Sequence, residues 1–417
     1  MTDNDDLLIH PFQNGLVLIA EHVPQVQSVA ATILLPVGAK DDPADRRGLA
    51  AAVCEMMSRG CGSRDSREFM IELDNLGVER SENVSPMYTS FGFATLADKL
   101  EPVMAIYADL LRRPRLPVEH LEPIRRLLLQ ELQSIEDDPA QKVLIELRRR
   151  QYPSPWGESP QGDPEGVSSI TLDEIHAFHA RHSHAGEAIL AVAGKFEWDT
   201  LRRTVENHFG DWLAADRDPV VEKPPSTQAV HLPYDSTQTH IGISYESVPY
   251  RHPDYFQAFG AVGVLSGGMS ARLFTEVRER RGLCYTVFAS QHSLRHLGSV
   301  LCYAGTSAER AQETLDVTYL ELLRLAEGVS EEELNRVKAR IKSSLVMQQE
   351  MTGARSSAIA RDWFHLGRVR SVAELERIVD DLARETINAY LSANPPSNLN
   401  IVTLGPEPLA NPERATP

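Results

Sequence analysis

The sequence predicts an α+β protein made of two homologous domains. Three observations indicate this class. The chain has 417 residues, which is enough for two hydrophobic cores. Strand-like and helix-like segments are mixed without the strict alternation of a parallel doubly wound fold. A set of patterns also recurs about 210 residues later in the same order, which indicates a duplication.

The first half opens with strands and continues with amphipathic helices. Apolar and β-branched runs predict strands, and residues 84–96 are long enough for one strand or two. The predicted strands are 15–21, 28–37, 84–96 and 188–193, and the predicted helices are 48–59, 66–76, 100–112 and 117–135. Thr171 and Glu174 have the spacing of a capping box, which predicts a helix that runs through Arg181.

Residues 216–228 interrupt this pattern with three prolines and no apolar period. We predict an interdomain linker there, between an N-terminal domain at 1–215 and a C-terminal domain at 229–417. The second half then repeats the earlier order of elements. It is predicted to contain a strand at 240–245, a helix at 255–265, a helix capped by Ser330 and Glu333 that runs to about 349, and a helix capped by Ser371 and Glu374.

The internal repeat consists of three matched pieces. LDEIHAF at 172–178 leads to AILAVAG at 188–194, and ETINAY at 385–390 leads in the same way to LNIVTLG at 399–405. The helix at 121–132 has its counterpart at 334–345. Three matches in order with a near-constant offset predict that one domain has been duplicated.

Composition excludes several classes of function. Apolar residues make up 42% of the chain, which suits a globular core. The formal net charge of -17 argues against nucleic-acid binding, which needs clustered Lys and Arg. No apolar run is long enough to span a membrane, and the N-terminus lacks signal-peptide features. Four cysteines without a C-x-x-C pair suit a reducing compartment, so we expect a cytoplasmic location.

The stretch GAKDDPADRRGLAAAVCEMMSRGCGSRDSREF at 38–69 resembles the segment around the inverted zinc motif, H-x-x-E-H, of the insulinase/pitrilysin family of zinc peptidases. The resemblance continues through 114–139 and resumes at 265–290. It implies that each domain is a mainly antiparallel sheet packed with helices. The length is similar to that of the mitochondrial-processing-peptidase-like branch, in which two chains usually close on each other like a clamshell.

Placed on this chain, the family's zinc motif is degenerate. Ala51 stands at the first histidine position, Cys54 at the position of the catalytic base and Glu55 at the second histidine position, while Glu131 retains the distant carboxylate ligand. An alanine offers no donor atom, and zinc sites in proteins favour imidazole or thiolate ligands. We therefore predict that this chain holds no metal, has no catalytic residues of its own and needs no cofactor, with zinc only in a partner subunit.

A second family feature is retained. In the family, an arginine and a tyrosine seven residues later reach the active site from the later domain, and Arg278 and Tyr285 have this spacing. A guanidinium keeps its positive charge and donates in a fixed fork, and a phenol can donate to a developing oxyanion. The resemblance therefore implies that Arg278 and Tyr285 bind substrate.

The edge strand that binds peptide backbone in the family is altered here. Residues 81–93 read SENVSPMYTSFGF, with Glu82 and Asn83 where asparagine and alanine are expected. We expect Pro86 to interrupt the ladder of hydrogen bonds. Backbone recognition by the first domain is therefore not predicted. His176, His179, His182 and His184 cluster at a helix end, and we interpret this cluster as a solvated terminus rather than a metal site.

The combination favours a non-catalytic subunit of a heterodimeric zinc metalloprotease. This subunit would form part of the chamber, bind peptide substrate and supply Arg278 and Tyr285 to a homologous active subunit. Two alternatives stay open. One is an active metallopeptidase with an unusual metal site on Glu55 and Glu131. The other is a purely structural or assembly homologue.

Overall fold

The computed structural model describes residues 7–215, 219–225 and 230–412. These residues form two compact units. The first unit comprises the described residues up to Gln133, those of Glu158–Val221 and the segment Met347–Ser371. The second unit comprises Ser134–Gly157, the described residues of Glu222–Val346 and the described residues from Val372 onward.

The described residues contain thirteen strands. They are β1 (Leu7–Pro11), β2 (Val17–His22), β3 (Ser28–Leu35), β4 (Gly60–Cys61), β5 (Arg64–Asp65), β6 (Glu79–Val84), β7 (Thr89–Leu96), β8 (Ile189–Gly194), β9 (Val230–Pro233), β10 (Gln238–Ser247), β11 (Cys284–Ser293), β12 (Gly298–Ser307) and β13 (Asn400–Gly405).

The described residues also contain fourteen α-helices. They are α1 (Leu49–Met57), α2 (Ser66–Asn75), α3 (Leu100–Arg112), α4 (Leu121–Glu136), α5 (Pro139–Gln151), α6 (Pro164–Ser169), α7 (Leu172–His182), α8 (Trp198–Phe209), α9 (Tyr255–Ser266), α10 (Ala311–Arg324), α11 (Glu331–Gln349), α12 (Thr352–Leu366), α13 (Val372–Asp381) and α14 (Arg384–Ala393). None of the helices in the described ranges combines the length and the apolar content that crossing a bilayer requires.

Each unit contains one large sheet, and equivalent strands follow one another in the same order in the two sheets. The first runs β1-β2-β8-β3-β7-β6 and the second runs β11-β12-β10-β13-β9. In the first sheet β2 and β8 are parallel, and in the second sheet β9 and β13 are parallel. All other pairs of neighbouring strands in these two sheets are antiparallel. The predicted α+β class with mainly antiparallel sheets is confirmed.

The duplication is visible in this topology. The series β2-β8-β3-β7-β6 corresponds to β9-β13-β10-β12-β11, pair by pair and with the same relative directions. The matched sequence pieces at 172–194 and 385–405 are α7 followed by β8 and α14 followed by β13. The helices matched at 121–132 and 334–345 lie in α4 and α11. Strand β1 has no counterpart among the described residues of the second sheet.

The two units do not correspond to the two halves of the chain on either side of residues 216–228. Each unit also includes one segment from the other half. Helix α5 belongs to the second unit, where its Val143 and Leu147 pack against Val402 of β13. Gly242 of β10 permits this approach, since a Cβ atom there would lie 2.7 Å from a Val143 methyl carbon. The oxygen of the Gln151 amide accepts a hydrogen bond from the Ser244 hydroxyl at 2.7 Å.

Helix α12 belongs to the first unit in the same way. Its Ile359 and Ala360 lie in one buried cluster with Ile19 and Ala191 of the first sheet. A hydrogen bond of 2.9 Å joins the hydroxyls of Ser356 and Thr32. The sequence predicted domains at 1–215 and 229–417, but amphipathicity alone does not reveal on which sheet a helix packs. Of the predicted linker, residues 216–218 and 226–228 lie outside the described residues.

Most predicted elements are present with shifts of one or two residues at their ends. Residues 84–96 are an exception, because one strand ends at Val84, a turn follows, and a second strand begins at Thr89. The predicted capping box is present at the start of α7, where the backbone N–H of Thr171 donates to the Glu174 carboxylate at 2.7 Å.

Candidate functional site

Helix α1 carries Ala51, Cys54 and Glu55, the degenerate positions of the zinc motif, and its first turn is held by defined contacts. Its N-cap, Gly48, has a φ of 94°, a conformation that a side chain disfavours. The Asp42 carboxylate accepts hydrogen bonds from the backbone N–H groups of Gly48 and Ala50, each at 2.7 Å. Burial of Asp42 raises its pKa to about 7, although these two hydrogen bonds oppose the rise. Asp42 therefore holds the start of α1 in place.

Ala51 and Cys54 lie on this helix with little exposure. Ala51 is half-buried and packs against the hydrophobic core of the first unit, and Cys54 is 6% exposed. The thiol lines a cavity of about 20 Å³, whose other walls include His179 and His182. Burial, reinforced by the charges of Glu82 and Glu55, raises the pKa of the Cys54 thiol. Because the thiolate is the metal-binding and nucleophilic form, Cys54 is a structural residue in this setting.

Glu55 and Glu131 lie close enough to influence each other. Glu55 pairs with Arg59 one turn later on α1, with a nitrogen-to-oxygen distance of 3.0 Å. Burial and the charge of Glu55 together raise the pKa of Glu131. Glu82 of β6 faces the same helix, since burial raises its pKa and the Glu55 charge adds to this rise. The helix face therefore has acidic neighbours, and two of these three carboxylates are already paired with arginines, Glu55 with Arg59 and Glu82 with Arg80.

These donors do not suit zinc. Ala51 supplies no ligand atom, Cys54 is held as a thiol, and Glu55 is paired with Arg59. Zinc in peptidase sites is normally held by three protein ligands, with imidazole or thiolate among them. Across residues 7–215, 219–225 and 230–412, no group of three or more His, Cys, Asp or Glu side chains is arranged to hold a metal ion.

The histidine cluster at the end of α7 is not the solvated terminus that we expected. His176 is exposed, but His184 is buried, and His179 and His182 are half-buried. The Nε2 atom of His179 lies 2.9 Å from the carbonyl oxygen of Leu111, and burial lowers the pKa of this ring. Three of the four histidines therefore pack into the first unit.

Strand β6 is the edge of the first sheet and begins before the segment that we considered from the sequence. Pro86 lies in the turn between β6 and β7, where the backbone N–H groups of Ala39 and Lys40 donate to the carbonyls of Ser85 and Pro86. It follows the end of the β6–β7 ladder at Val84. The expectation that Pro86 interrupts this ladder is therefore wrong.

The second candidate site starts in a π-helical turn at Phe274–Glu279. The backbone N–H of Arg280 donates to the Thr275 carbonyl, five residues earlier. Such turns are rare and recur at functional positions. Within the turn, the guanidinium carbon of Arg278 lies 4.7 Å from the centroid of the Phe274 ring. This is a cation–π distance, and it holds a solvent-exposed arginine against its own helix.

Arg278 has a different environment from the two arginines that follow it. Arg280 and Arg281 both bind the Glu276 carboxylate, at 2.5 and 2.8 Å. Arg278 forms no ion pair with any residue in the described part of the chain. Its charge also opposes the burial-driven rise of the Cys284 thiol pKa to about 11, which places it close to the start of β11. The charge of Arg278 is therefore available to a ligand.

Tyr285 is displayed by an irregularity in the second sheet. The pairing of β11 with β12 shifts between Cys284 and Thr286, so Tyr285 is the extra residue of a β-bulge. Bulges re-aim side chains, and the Tyr285 side chain is 84% exposed. Two backbone hydrogen bonds of 2.9 Å, from Gly282 to the Arg278 carbonyl and from Leu283 to the Val277 carbonyl, tie the strand to the preceding turn.

Two features of this site were missed from the sequence. The stacking of Phe274 on Arg278 could have been found, since the two residues are four apart in a helical segment and therefore share a face. The bulge at Tyr285 has no such signal, because nothing in the local composition marks an extra residue in the pairing with β12.

Two family models match the chain. Residues 17–154 match the model for insulinase, peptidase family M16. Residues 169–341 match the model for the peptidase M16 inactive domain. Together the two models cover most of the chain. They include the candidate site residues Ala51, Cys54, Glu55, Glu131, Arg278 and Tyr285.

Two curated relatives are similar over nearly the whole chain. One, from Mycobacterium tuberculosis strain H37Rv, is named an uncharacterized zinc protease and is 26% identical over 384 residues, which are 90% of this chain and 87% of that protein. The other is the uncharacterized zinc protease YmxG from Bacillus subtilis. It is 25% identical over 381 residues, which are 90% of this chain and 92% of YmxG.

Solved structures share the fold. The crystal structure of a peptidase M16 inactive domain from Pseudomonas fluorescens has a TM-score of 0.87 and 21% identity, and the match covers 98% of this chain and all of that one. The crystal structure of a protease from Helicobacter pylori has a TM-score of 0.88 and 17% identity, and the match covers 96% of this chain and 99% of the other.

Proposed function

The chain belongs to the insulinase family of peptidases, family M16, and from this premise we propose that it is a non-catalytic subunit of a two-chain zinc peptidase. In this role it binds peptide substrate and supplies Arg278 and Tyr285 to a homologous partner that carries the zinc. The observation that carries the proposal is the contrast between the two candidate sites. The first has no imidazole and only the Cys54 thiol and the Glu55 and Glu131 carboxylates, while the second presents two donor side chains without a hydrogen-bond partner in the described residues.

The residues on helix α1 support the proposal that this chain is not itself catalytic. A peptidase of this kind needs a base that takes a proton from water, and positioned bases contribute about 10²–10⁴-fold to the rate. Cys54 stands at that position with a buried thiol whose pKa is raised, so it is protonated near neutral pH. The residue lines a small cavity beside His179 and His182. Glu55 cannot serve freely in its place, because it is bound to Arg59.

The exposure of Arg278 and Tyr285 supports the proposal that these two side chains bind substrate. Both side chains are exposed on the second unit, and neither hydrogen-bonds another side chain in the described residues. Arg278 would donate to a carbonyl oxygen of the bound peptide, and the Tyr285 hydroxyl would donate to the oxygen on which charge develops. Stacking on Phe274 reduces the freedom that Arg278 loses when it binds.

The first test is co-expression with a homologous chain from the same source that has an intact H-x-x-E-H motif. The purified single chain should contain no stoichiometric zinc and cleave no peptide, while the pair should cleave peptides in a chelator-sensitive manner. Stoichiometric zinc and chelator-sensitive cleavage by the single chain would overturn the proposal in favour of an active metallopeptidase. A stable pair whose partner cleaves equally well alone would favour an assembly protein.

The second test compares two arginines in the reconstituted pair. Arg278→Ala should lower kcat about 10²–10³-fold, the usual effect of losing one oxyanion donor. Arg281→Ala is the matched control, since Arg281 is bound to Glu276 and should leave turnover within about twofold. Equal effects of the two substitutions would contradict the assigned role of Arg278.

A further inference from the structure

Arg148 lies on helix α5 without a counter-ion. It is half-buried in the second unit, and burial lowers its pKa. The two arginines that follow it differ, because Arg149 and Arg150 both pair with the Glu146 carboxylate. The Arg148 guanidinium forms no hydrogen bond or ion pair with any residue that the structure describes. A guanidinium keeps its charge near neutral pH, and its removal from water is unfavourable unless an anion accompanies it. An anion from outside the chain would supply this partner.

Tyr152 fixes how this part of α5 lies relative to strand β11. It follows Arg148 by one helical turn, so the two side chains share a face of α5. The Tyr152 ring centroid lies 5.3 Å from that of His292, and the Tyr152 hydroxyl lies 2.8 Å from the His292 Nδ1 atom. One turn before Arg148, Leu144 packs against the same buried cluster as Phe288 of β11. The stripe of α5 that carries Arg148 is therefore directed towards the side of β11 that carries Phe288 and His292.

Ser290 lies midway along this side of β11, level with Arg148. Side chains two apart on a strand share a face, so Ser290 projects between Phe288 and His292. The strand rises about 13 Å from residue 288 to residue 292, and α5 rises about 12 Å from residue 144 to residue 152. The midpoints of these two spans are Ser290 and Arg148. Ser290 is exposed, and its hydroxyl bonds no residue within the described ranges.

The ring of His292 offers an acceptor atom rather than a second donor. The His292 carbonyl can only accept, so the Tyr152 hydroxyl donates to it at 2.9 Å. Because that hydroxyl has one proton, its contact with Nδ1 requires the ring proton to be on Nδ1. Burial and the charge of Arg148 lower the pKa of His292 to about 4, so the ring is neutral at pH 7 and Nε2 carries a lone pair. Nε2 has no hydrogen-bond partner among the residues that the structure describes.

We propose that Arg148, Ser290 and His292 form a binding site for hydrogen phosphate. The guanidinium donates to two phosphate oxygens, the Ser290 hydroxyl donates to a third, and the P–OH group of the ligand donates to Nε2 of His292. Sulfate has no proton to donate at neutral pH, and a phosphate monoester loses its second proton near pH 6. The site therefore favours inorganic phosphate over both. It lies at the other end of β11 from Tyr285 and does not depend on the proposed function.

The test is isothermal titration calorimetry on the purified full chain at constant ionic strength. The buffer is free of phosphate and near pH 7.5, where a phosphate monoester is almost fully deprotonated. Inorganic phosphate should bind saturably, at one ion per chain and about tenfold more tightly than sulfate or methyl phosphate, because neither of these can donate to Nε2. Equal or tighter binding of sulfate or methyl phosphate would overturn the proposal, as would the absence of saturable phosphate binding.

Three variants assign the binding to this site. Arg148→Gln should weaken phosphate binding about tenfold or more, and Ser290→Ala, at an exposed position, about threefold. Arg251→Gln is the matched control, since Arg251 is an exposed arginine in the loop after β10 and should leave the affinity unchanged. Phosphate should also raise the Tm of the wild-type chain but not that of Arg148→Gln. Equal losses of affinity in Arg148→Gln and Arg251→Gln would show general attraction to positive charge and would overturn the proposal.

Discussion

Arg278 and Phe274 form a cation–π pair within a single π-helical turn, with 4.7 Å between the guanidinium carbon and the ring centroid. The pair lies four residues apart on one face, so the ring limits the rotamers of the arginine before any ligand is present. The neighbouring cations Arg280 and Arg281 are held differently, by the carboxylate of Glu276. The turn thus separates one arginine without an ion pair in the described residues from two that share the Glu276 carboxylate.

We expect Phe274→Leu to lower the turnover of the reconstituted pair about 2- to 5-fold. An exposed cation–π contact contributes about 0.5–1 kcal/mol, and each 1.36 kcal/mol corresponds to a tenfold change in rate. Steady-state kinetics should show this effect only when Arg278 is present, and Phe274→Tyr should restore turnover. An equal loss in the Arg278→Ala background would show that Phe274 acts through packing instead.

A double substitution should return zinc to helix α1. Ala51→His together with Glu55→His places two imidazoles one turn apart, with Glu131 as the third ligand. We expect about one zinc per chain by elemental analysis, and none for the wild-type chain. The triple variant that adds Glu131→Gln is the control and should lose the metal. Zinc binding by the wild-type chain, or by the triple variant, would contradict the description of this site.

Asp42→Ala should destabilise the first unit by about 1–2 kcal/mol. The substitution removes the acceptor of the Gly48 and Ala50 N–H groups at the start of α1, and lost N-terminal caps cost this much. Urea unfolding measures the effect. Asp42→Asn keeps an acceptor oxygen and should cost less. Asp45→Ala is the surface control, since Asp45 is mostly exposed, and should change stability by less than about 0.5 kcal/mol.

The ion pair between Arg272 and Glu333 should make stability depend on acid pH. The Arg272 guanidinium donates twice to this carboxylate, at 2.7 and 3.0 Å. Burial would raise the pKa of Glu333, but hydrogen bonds from Arg272 and Ser330 outweigh it and lower the pKa to about 2, from 4.5. The unfolded chain therefore takes up this proton first, so the stabilisation is present above pH 4.5 and is lost as the pH falls towards 2.

Urea unfolding of the wild-type chain and of Glu333→Gln from pH 7 to pH 3 measures this dependence. The difference in the free energy of unfolding should be largest near neutral pH and should shrink steadily below pH 4.5. A difference that stays constant over this range would show that the carboxylate charge does not contribute.

Local pattern was sufficient for most elements of the fold. Periodicity and caps predicted α1, α3 and α7 to within two residues. Helix α1 begins at a glycine and α7 at a threonine cap, whereas α3 has no side-chain cap and was marked by its amphipathic pattern alone. The repeat at 172–194 and 385–405 predicted a duplicated domain, and the equivalent helix–strand pairs lie at corresponding places in the two sheets. The positions Ala51, Cys54, Glu55 and Glu131 could also be placed, and the last two were expected to be neighbours.

Long-range packing set the limits of prediction. Pro86 sits in a turn rather than in a ladder because the strand ends at Val84, and the position of that end depends on pairing with β7. His179 and His184 lie in a segment rich in polar residues. Packing within the first unit nevertheless buries His179 in part and His184 in full. Tyr285 is exposed through a bulge that exists only relative to β12. Each of these depends on a neighbour that is distant in sequence.

Helix α5 packs in the second unit and helix α12 in the first, although each comes from the other half of the chain. When the core of either unit melts, it releases a helix, α5 or α12, whose flanking chain leads into the other core. The two cores should therefore be lost together, as a single calorimetric peak with matching calorimetric and van't Hoff enthalpies. We therefore expect this duplicated protein to unfold in one step, and a protease cut in the segment between its halves should not release two stable fragments.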